Sequence, residues 1–381
     1  MKILFFHRWT GVREGGTETE VKNLARFMAD RGHAVSILTL NGRALDDYDS
    51  RINVRFIKKF PGELFSSYHI NDPHLYLYIS FYLAQSLLIL LFWYYVKKYR
   101  FDLISVHFFT EALVARLFRF LTGTPYIFVL EGYTRQEAKE ARKANACLCI
   151  SRYDQEQCVK DFGFKPILKE IGVDLKRFGL RNVIRRGELR ELYTAEDSFL
   201  CLTVCRLEPR KDLPTLIRAA ALVKKAKSDV KFLIVGEGIS EVLLRDQVES
   251  SDLKDTVFFV GRVTDDQLPK YYQAADLFVL PTLYEGFGIV YLEALASGLP
   301  ILSTKVGAVP EVIGEAGVLI EPRRPEILAR EILRLAGDKK LREEISRRGL
   351  DRVRERYDQE KLLKIYEDSC LKLLDAGSSP A

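Results

Sequence analysis

The stretch that most narrows what this chain can fold into runs from Ala275 to Pro300. Ala275-Asp-Leu-Phe-Val-Leu-Pro281 is a short apolar run closed by a proline, and it reads as a strand. Ile289 to Ala296 carries an apolar helical pattern, and Ser297-Gly298 followed by Pro300 is a helix stop. The unit is strand, glycine loop, helix. A helix entered through glycines leaves its first backbone N–H groups, here those of Gly288, Ile289 and Val290, free to receive an anion such as a phosphate. Glu285 in the loop and Glu293 in the second turn flank that point. At ~1.5 Å rise per residue, Glu293 lies roughly 7 Å along the axis from Gly288, a distance that suits a diphosphate and the ribose of the same nucleotide. The stretch reads as a nucleotide-diphosphate site.

With 381 residues the chain exceeds what one hydrophobic core usually organises, so two domains are expected. Hydrophobic residues at 48% and charged residues at 29% are a folded, globular composition that excludes a disordered or fibrous chain. The net charge of +6 suits anionic small ligands or an anionic membrane surface and is too diffuse for nucleic acid. The six cysteines follow no metal-ligand spacing, and Cys201 and Cys205 fall in one predicted strand. They read as reduced core thiols, which fits a cytoplasmic protein. Met1-Lys-Ile-Leu-Phe-Phe runs straight into a strand without signal-peptide architecture.

Lys2 to Phe6 reads as a buried strand, followed by a loop with Gly11, Gly15 and Gly16, a helix from about Glu18 to Arg31, and a strand from His33 to Leu40. This is a βαβ unit with a glycine turn, as nucleotide-binding α/β domains have, although such a turn also serves tight packing alone. After a strand at Arg51 to Ile57 comes Leu75 to Val96, which has no charged residue and ends at Lys97-Lys98-Tyr99-Arg100. Its length reaches the ~20 residues of a membrane span. Five tyrosines, two serines and Gln85, and its place between two strands of one sheet, favour a partly buried crossover helix. A helix resting its aromatic face on lipid, with Lys97, Lys98 and Arg100 meeting headgroups, is the intermediate case.

Strands follow at Phe101 to Val106, ending at His107; at Pro125 to Leu130, ending at Glu131-Gly132; and at Ala146 to Ile150, ending at Ser151. In a parallel sheet such ends share one edge, where ligands bind. His107 there is either an acid–base group or a structural histidine. Ile171 to Phe178 reads as a domain crossover, and Arg181 to Glu196 is charge-rich. The strand–helix alternation then restarts with strands at Ser198 to Cys205, Val230 to Val235 and Thr256 to Val260, and continues through Pro281–Pro300 to Val318–Ile320. Helices fill Pro325 to Tyr357, and a last helix runs from Gln359 to Leu374. The expected architecture is α/β: two Rossmann-like, doubly wound domains facing a cleft. Residues 1–177 form the first domain and residues 178–357 the second.

Arg206 and Lys211 lie in Arg206-Leu-Glu-Pro-Arg-Lys-Asp212, the loop leaving the second domain's first strand. Two fixed cations beside a diphosphate can neutralise the charge that grows on a departing phosphate, the task Mg²⁺ performs elsewhere. A pair of solvated loop charges is the bland alternative. Asp47-Tyr-Asp49 matches an Asp-x-Asp metal pattern, but so short a match in a polar loop arises by chance, and no metal or other cofactor is expected.

Together these residues resemble a known family. Glu285 to Glu293 is a Glu-x7-Glu motif within Glu-Gly-Phe-Gly-Ile-Val…Glu-Ala…Ala-Ser-Gly-Leu-Pro. With Gly15-Gly16-Thr17-Glu18, Gly172-Val-Asp174 and Gly261-Arg-Val263, it is similar to the retaining nucleotide-sugar glycosyltransferases of the GT-B fold, family 4. The resemblance spans Gly15 to about Glu311 and implies that the C-terminal helix, 358–376, crosses back to join the first domain. It implies that Glu285 contacts hydroxyls of the donor sugar and Glu293 the ribose. Phe287 belongs to the same donor loop, and Gly288, Ile289 and Val290 would hold phosphate through backbone N–H groups. Arg206 and Lys211 would stabilise the leaving diphosphate, the backbone at Arg262 and Val263 would hold the base, and the Gly15-Gly16 loop would approach phosphates and acceptor from the first domain. Where many members place a histidine near the donor sugar, this chain has Glu131. That carboxylate can bind a different hydroxyl or carry a proton, or the variable loop aligns differently.

The activity implied is metal-independent, retaining transfer of a sugar from a UDP- or GDP-sugar to a glycan or lipid-linked acceptor, in the cytoplasm or on the cytoplasmic face of a membrane. A non-catalytic nucleotide-sugar-binding scaffold and an epimerase of the same architecture are the alternatives. The complete set Arg206, Lys211, Glu285 and Glu293 argues against the scaffold.

Overall fold

Two parallel sheets organise the chain, whose computed structural model describes residues 1–7, 15–39, 48–56, 97–179, 189–193, 198–226 and 229–378. By contact the chain divides into two units. One comprises Met1–Ile150, Asp154–Lys169 and Leu363–Ala381; the other comprises Ser151–Tyr153 and Glu170–Leu362.

The first sheet contains β1 (Lys2–Phe6), β2 (Ala34–Thr39), β3 (Asn53–Phe56), β4 (Leu103–Val106), β5 (Tyr126–Leu130), β6 (Ala146–Cys149) and β7 (Ile167–Leu168). Their spatial order is β3-β2-β1-β4-β5-β6-β7, every pair parallel. Near-continuous apolar runs such as Ile-Leu-Phe-Phe and Tyr-Ile-Phe-Val-Leu are buried residue by residue, because helices cover both faces of a parallel sheet. The chain reverses its winding between β1 and β4, the kind of switch point beside which α/β sheets bind ligands at the carboxyl edge. Helix Gly16–Asp30 packs Val21, Leu24, Ala25 and Met28 inward and ends before Gly32, whose φ of +82° suits glycine.

The second sheet contains β8 (Phe199–Val204), β9 (Val230–Val235), β10 (Val257–Gly261), β11 (Leu277–Leu280), β12 (Ile301–Thr304) and β13 (Gly317–Ile320), in the order β10-β9-β8-β11-β12-β13. Here the winding reverses between β8 and β11. The expected α/β class with two Rossmann-like sheets is what the chain forms. The short edge strand β7 was not anticipated.

Residues 170–178 belong to the second unit, where Val173 N donates to Tyr357 O at 3.1 Å and Ser297 Oγ to Phe178 O at 3.1 Å. A side chain at Gly172 would meet Gln359 Cα at 2.3 Å, so only glycine lets those two backbones approach. The last helix, Gln359–Ser378, joins the first unit from Leu363 onward. There Tyr366 stacks on Phe5 and Glu367 pairs with Arg31 and His33.

Leu75 to Val96 and Asp47 lie outside the described residues. Lys97, Lys98 and Arg100 are exposed. Among the described residues no helix is long and apolar enough to cross a membrane.

Candidate active site

At the carboxyl edge of the second sheet, the loops leaving β8 and β11 are laced together. Backbone ties run to Arg210 O from Leu283 N at 2.8 Å and from Thr282 Oγ1 at 3.0 Å. Pro209 opens a 3₁₀ turn over Pro209–Lys211, and Asp212 closes it in a left-handed conformation, φ +49°. That turn drives Lys211 inward. Its Nζ donates to Glu285 Oε2, and both side chains are nearly closed off from water. Arg210 stands 3.9 Å from the other Glu285 oxygen and donates to Glu208 Oε2 at 3.1 Å. Arg206, half-exposed, pairs with Glu208 Oε1 at 3.0 Å. Burial raises the Glu208 carboxyl, but Arg206 and then Arg210 outweigh it and leave it below the usual range.

The backbone of Glu285 is fixed as well, since its carbonyl accepts from Ala308 N at 3.0 Å. Gly288 is the N-cap of helix Ile289–Ala296, with φ +86° and no capping side chain. A Cβ there would lie 2.5 Å from the Tyr291 ring and 3.0 Å from Glu285 Cγ, so glycine is needed both for conformation and for space. Gly288, Ile289 and Val290 stay half-exposed while the helix is buried from Tyr291 onward. An uncapped, accessible helix start next to Glu285 and its partner Lys211 can receive an anion. Glu293 accepts from the Tyr272 hydroxyl at 2.7 Å, and burial pushes its carboxyl up to about 7. Phe287 is buried edge-on against Tyr357, a packing position. Arg262 is exposed, 3.7 Å from Glu237, just beyond Gly261 at φ +78°.

The first sheet's carboxyl edge carries a second group of charges. His107 follows β4 and Glu131 follows β5, and His107 Nδ1 lies 2.6 Å from Glu131 Oε1 with both side chains buried. Gly15 caps helix Gly16–Asp30 in an extended conformation open to any residue, φ −169°. The first turn of that helix buries Glu18, and Glu20, a residue further along, takes a hydrogen bond from Lys169. Asp49 is engaged by Arg51 at 2.7 Å. Among the described residues, no three His, Cys, Asp or Glu side chains gather as a metal-ligand set.

Residues 186–352 match the family described as Glycosyl transferases group 1, and residues 14–177 match Glycosyltransferase Family 4. The chain belongs to this glycosyltransferase family. The glycosyltransferase MJ1607 of Methanocaldococcus jannaschii is 26% identical over 92% of each chain. The GDP-mannose-dependent alpha-(1-6)-phosphatidylinositol monomannoside mannosyltransferase of Mycobacterium tuberculosis is 30% identical, over 50% of this chain and 52% of that one. Among solved structures, Anabaena Alr3699/HepE in complex with UDP-glucose superposes with a TM-score of 0.80 at 20% identity, over 98% of this chain and all of that one. The fold is GT-B.

In this glycosyltransferase the second unit brings Lys211, Glu285 and the Gly288 helix start together, with Arg206 one ion pair away through Glu208. Arg210 and Tyr272 were missed by sequence reasoning. Arg210 had a signal, because Pro209 opening a turn sets the next two basic residues side by side. Tyr272 had none, since only the packing of helix Leu268–Ala274 under Glu293 makes it a partner. Likewise His107 has a partner in Glu131 that its own surroundings in the sequence do not reveal.

Proposed function

We propose that this glycosyltransferase moves a hexosyl group from a UDP- or GDP-sugar to a glycan or lipid-linked acceptor, with retention of anomeric configuration and without a metal ion. The observation that carries the reading is the uncapped Gly288 helix start beside the Lys211–Glu285 pair where β8 and β11 diverge. Backbone N–H groups of Gly288, Ile289 and Val290 receive the diphosphate. Arg206 and Lys211, with Arg210 beside them, meet the charge released on it as the glycosidic bond breaks, which is the service a divalent cation gives elsewhere. Glu285 orients hydroxyls of the donor sugar, Glu293 the ribose, and the backbone at Arg262 and Val263 the base. Glu131, at the first sheet's carboxyl edge, binds a sugar hydroxyl or carries a proton.

The GDP-mannose dependence printed for the mycobacterial relative and the UDP-glucose bound by HepE support a nucleotide-diphosphate sugar as donor. The phosphatidylinositol acceptor of that relative supports a lipid-linked acceptor. Lys97, Lys98 and Arg100 are exposed and suit an anionic membrane on its cytoplasmic face.

Labelled UDP-glucose, UDP-galactose and GDP-mannose, each offered with lipid and oligosaccharide acceptors, test the reading in the presence and absence of a chelator. Transfer that survives chelation and gives a product of the donor's anomeric configuration is expected. An inverted product, or transfer lost with the metal, would refute those parts. A changed donor sugar formed with no acceptor would mark an epimerase instead.

A further inference from the structure

We propose that His107 is a positioning residue: it holds Glu131 so that one carboxylate oxygen selects a particular hydroxyl of the sugar handled at the first sheet's edge. The proposal rests on the reading of Glu131 as a substrate-binding group. A carboxylate only accepts, so His107 Nδ1–H is the donor in the 2.6 Å contact with Glu131 Oε1. His107 is itself held from several sides. Glu111 Oε2 accepts from the backbone N–H of His107 at 3.2 Å and of Phe108 at 3.3 Å, fixing the turn that leaves β4. The His7 ring meets the imidazole edge-on with centroids 5.5 Å apart, and Nε2 faces Ser105 Oγ at 3.5 Å. The ring therefore has one orientation, and it passes that orientation to Glu131.

Glu131 Oε2 takes no hydrogen bond from any described residue. An oriented, buried acceptor with one oxygen committed and one open is suited to a substrate hydroxyl. Glu20, whose charge acts on Glu131, is itself paired with Lys169. A carboxylate freed of its histidine would rotate and accept from water or from a different hydroxyl. The loss would then appear as lost discrimination between sugars, because a buried acceptor built for one hydroxyl penalises the analogue that lacks it.

The test compares wild type, His107→Phe, His107→Asn, Glu131→Gln and the double variant His107→Phe/Glu131→Gln. The readouts are kcat/KM with UDP-glucose and GDP-mannose and with their mono-deoxy analogues, and melting temperature. Wild type is expected to discriminate against one mono-deoxy donor by about 100-fold, and His107→Phe to lose about 10-fold or more of that ratio. Asparagine places an amide N–H near the position of Nδ1, so His107→Asn should keep most of the discrimination. The double variant should be no worse than Glu131→Gln alone, because the two act as one unit. Losses that multiply, unchanged discrimination in His107→Phe, or its disappearance in a well-folded His107→Asn would each overturn the proposal. Should His107→Phe fail to fold, His107→Asn against Glu131→Gln decides the matter. If Glu131→Gln is fully active while Glu285→Ala is dead, the role of Glu131 falls and transfer stands. If wild type turns over no donor, both readings fall.

Discussion

The hydroxyl of Tyr272 donates to Glu293 Oε2 at 2.7 Å, with the tyrosine sealed from water and the carboxylate nearly so. Burial raises the Glu293 carboxyl most, and this hydrogen bond pulls it part of the way back, to about 7 from an ordinary 4.5. A folded-state pKa above the unfolded one means that the folded chain keeps a proton the unfolded chain gives up. Stability from this group is therefore full below pH 4.5 and is lost as pH rises to about 7. Glu293→Gln stays neutral throughout. Its advantage over wild type should grow from nothing at pH 4.5 to at most about 3 kcal/mol at neutral pH, read from urea melts across that range. Parallel stability curves for the two proteins would contradict it.

The same carboxylate gives a binding prediction. Ribose hydroxyls donate best to ionised Glu293, so donor nucleotide affinity should fall as pH drops below about 7. Tyr272→Phe removes the bond that lowers the carboxyl, and the pH of half-maximal affinity should move upward. Calorimetric titration with UDP and GDP between about pH 6 and 9 reads this directly. A downward shift, or none, would remove Glu293 from the nucleotide site.

Gly288 and Gly261 both have positive φ, but only one is crowded. A methyl group at Gly261 would meet nothing within 4 Å, whereas at Gly288 it would strike the Tyr291 ring at 2.5 Å. Gly261→Ala should cost about 1–2 kcal/mol of stability through backbone strain alone. Gly288→Ala should cost more, and it should weaken nucleotide binding by about 10-fold or more as the uncapped N–H groups turn away. Equal effects from the two substitutions would mean that the packing of Tyr291 on Gly288 is unimportant.

Much of this was legible because it is local. Strand, glycine and helix between Ala275 and Pro300 are neighbours in sequence, and their periods and stop signals need no tertiary information. What was not legible depends on strand order. His107 and Glu131, 24 residues apart, meet because parallel pairing brings the ends of β4 and β5 to one edge, and Lys169 and Glu20, 149 apart, meet because helix Gly16–Asp30 lies against the end of β7. The contacts of residues 170–178 with the second unit were hidden for the same reason. Val173 looks like the end of the first half until Asp358 pairs with it. Gly15 and Gly16 show the opposite error, since their extended and helical backbone could be built from other residues, and any reason for glycine there lies in what approaches them.

Lys211 and Glu285 neutralise each other in a nearly dry pocket, so removing one should strand the other. Lys211→Met or Glu285→Ala should each cost about 3 kcal/mol, with Arg210 as only a distant substitute partner for Glu285. The double variant Lys211→Met/Glu285→Gln should recover much of that loss while transfer stays at least about 100-fold down. Urea melts beside single-turnover assays separate the two outcomes. Recovered activity in the double variant would show the pair to be structural only.

Lys169 and Glu20 are the more deeply buried pair, tying the helix Gly16–Asp30 to the end of β7. Burial raises the Glu20 carboxyl, and Lys169 holds it below where burial alone would put it. Lys169→Met should destabilise the first unit by about 3–5 kcal/mol at neutral pH, because an unpaired buried carboxylate is left behind. A carboxyl without its lysine takes up a proton more readily. The folded-state pKa then rises further above the unfolded one, and the penalty should shrink as pH falls toward the ordinary carboxyl range. Glu20→Gln in the same background should remove that pH dependence and most of the penalty. Denaturant titration of Lys169→Met at about pH 5 and about pH 8 checks the sign, and a penalty that is the same at both, or larger in acid, would mean that Lys169 acts through packing rather than charge.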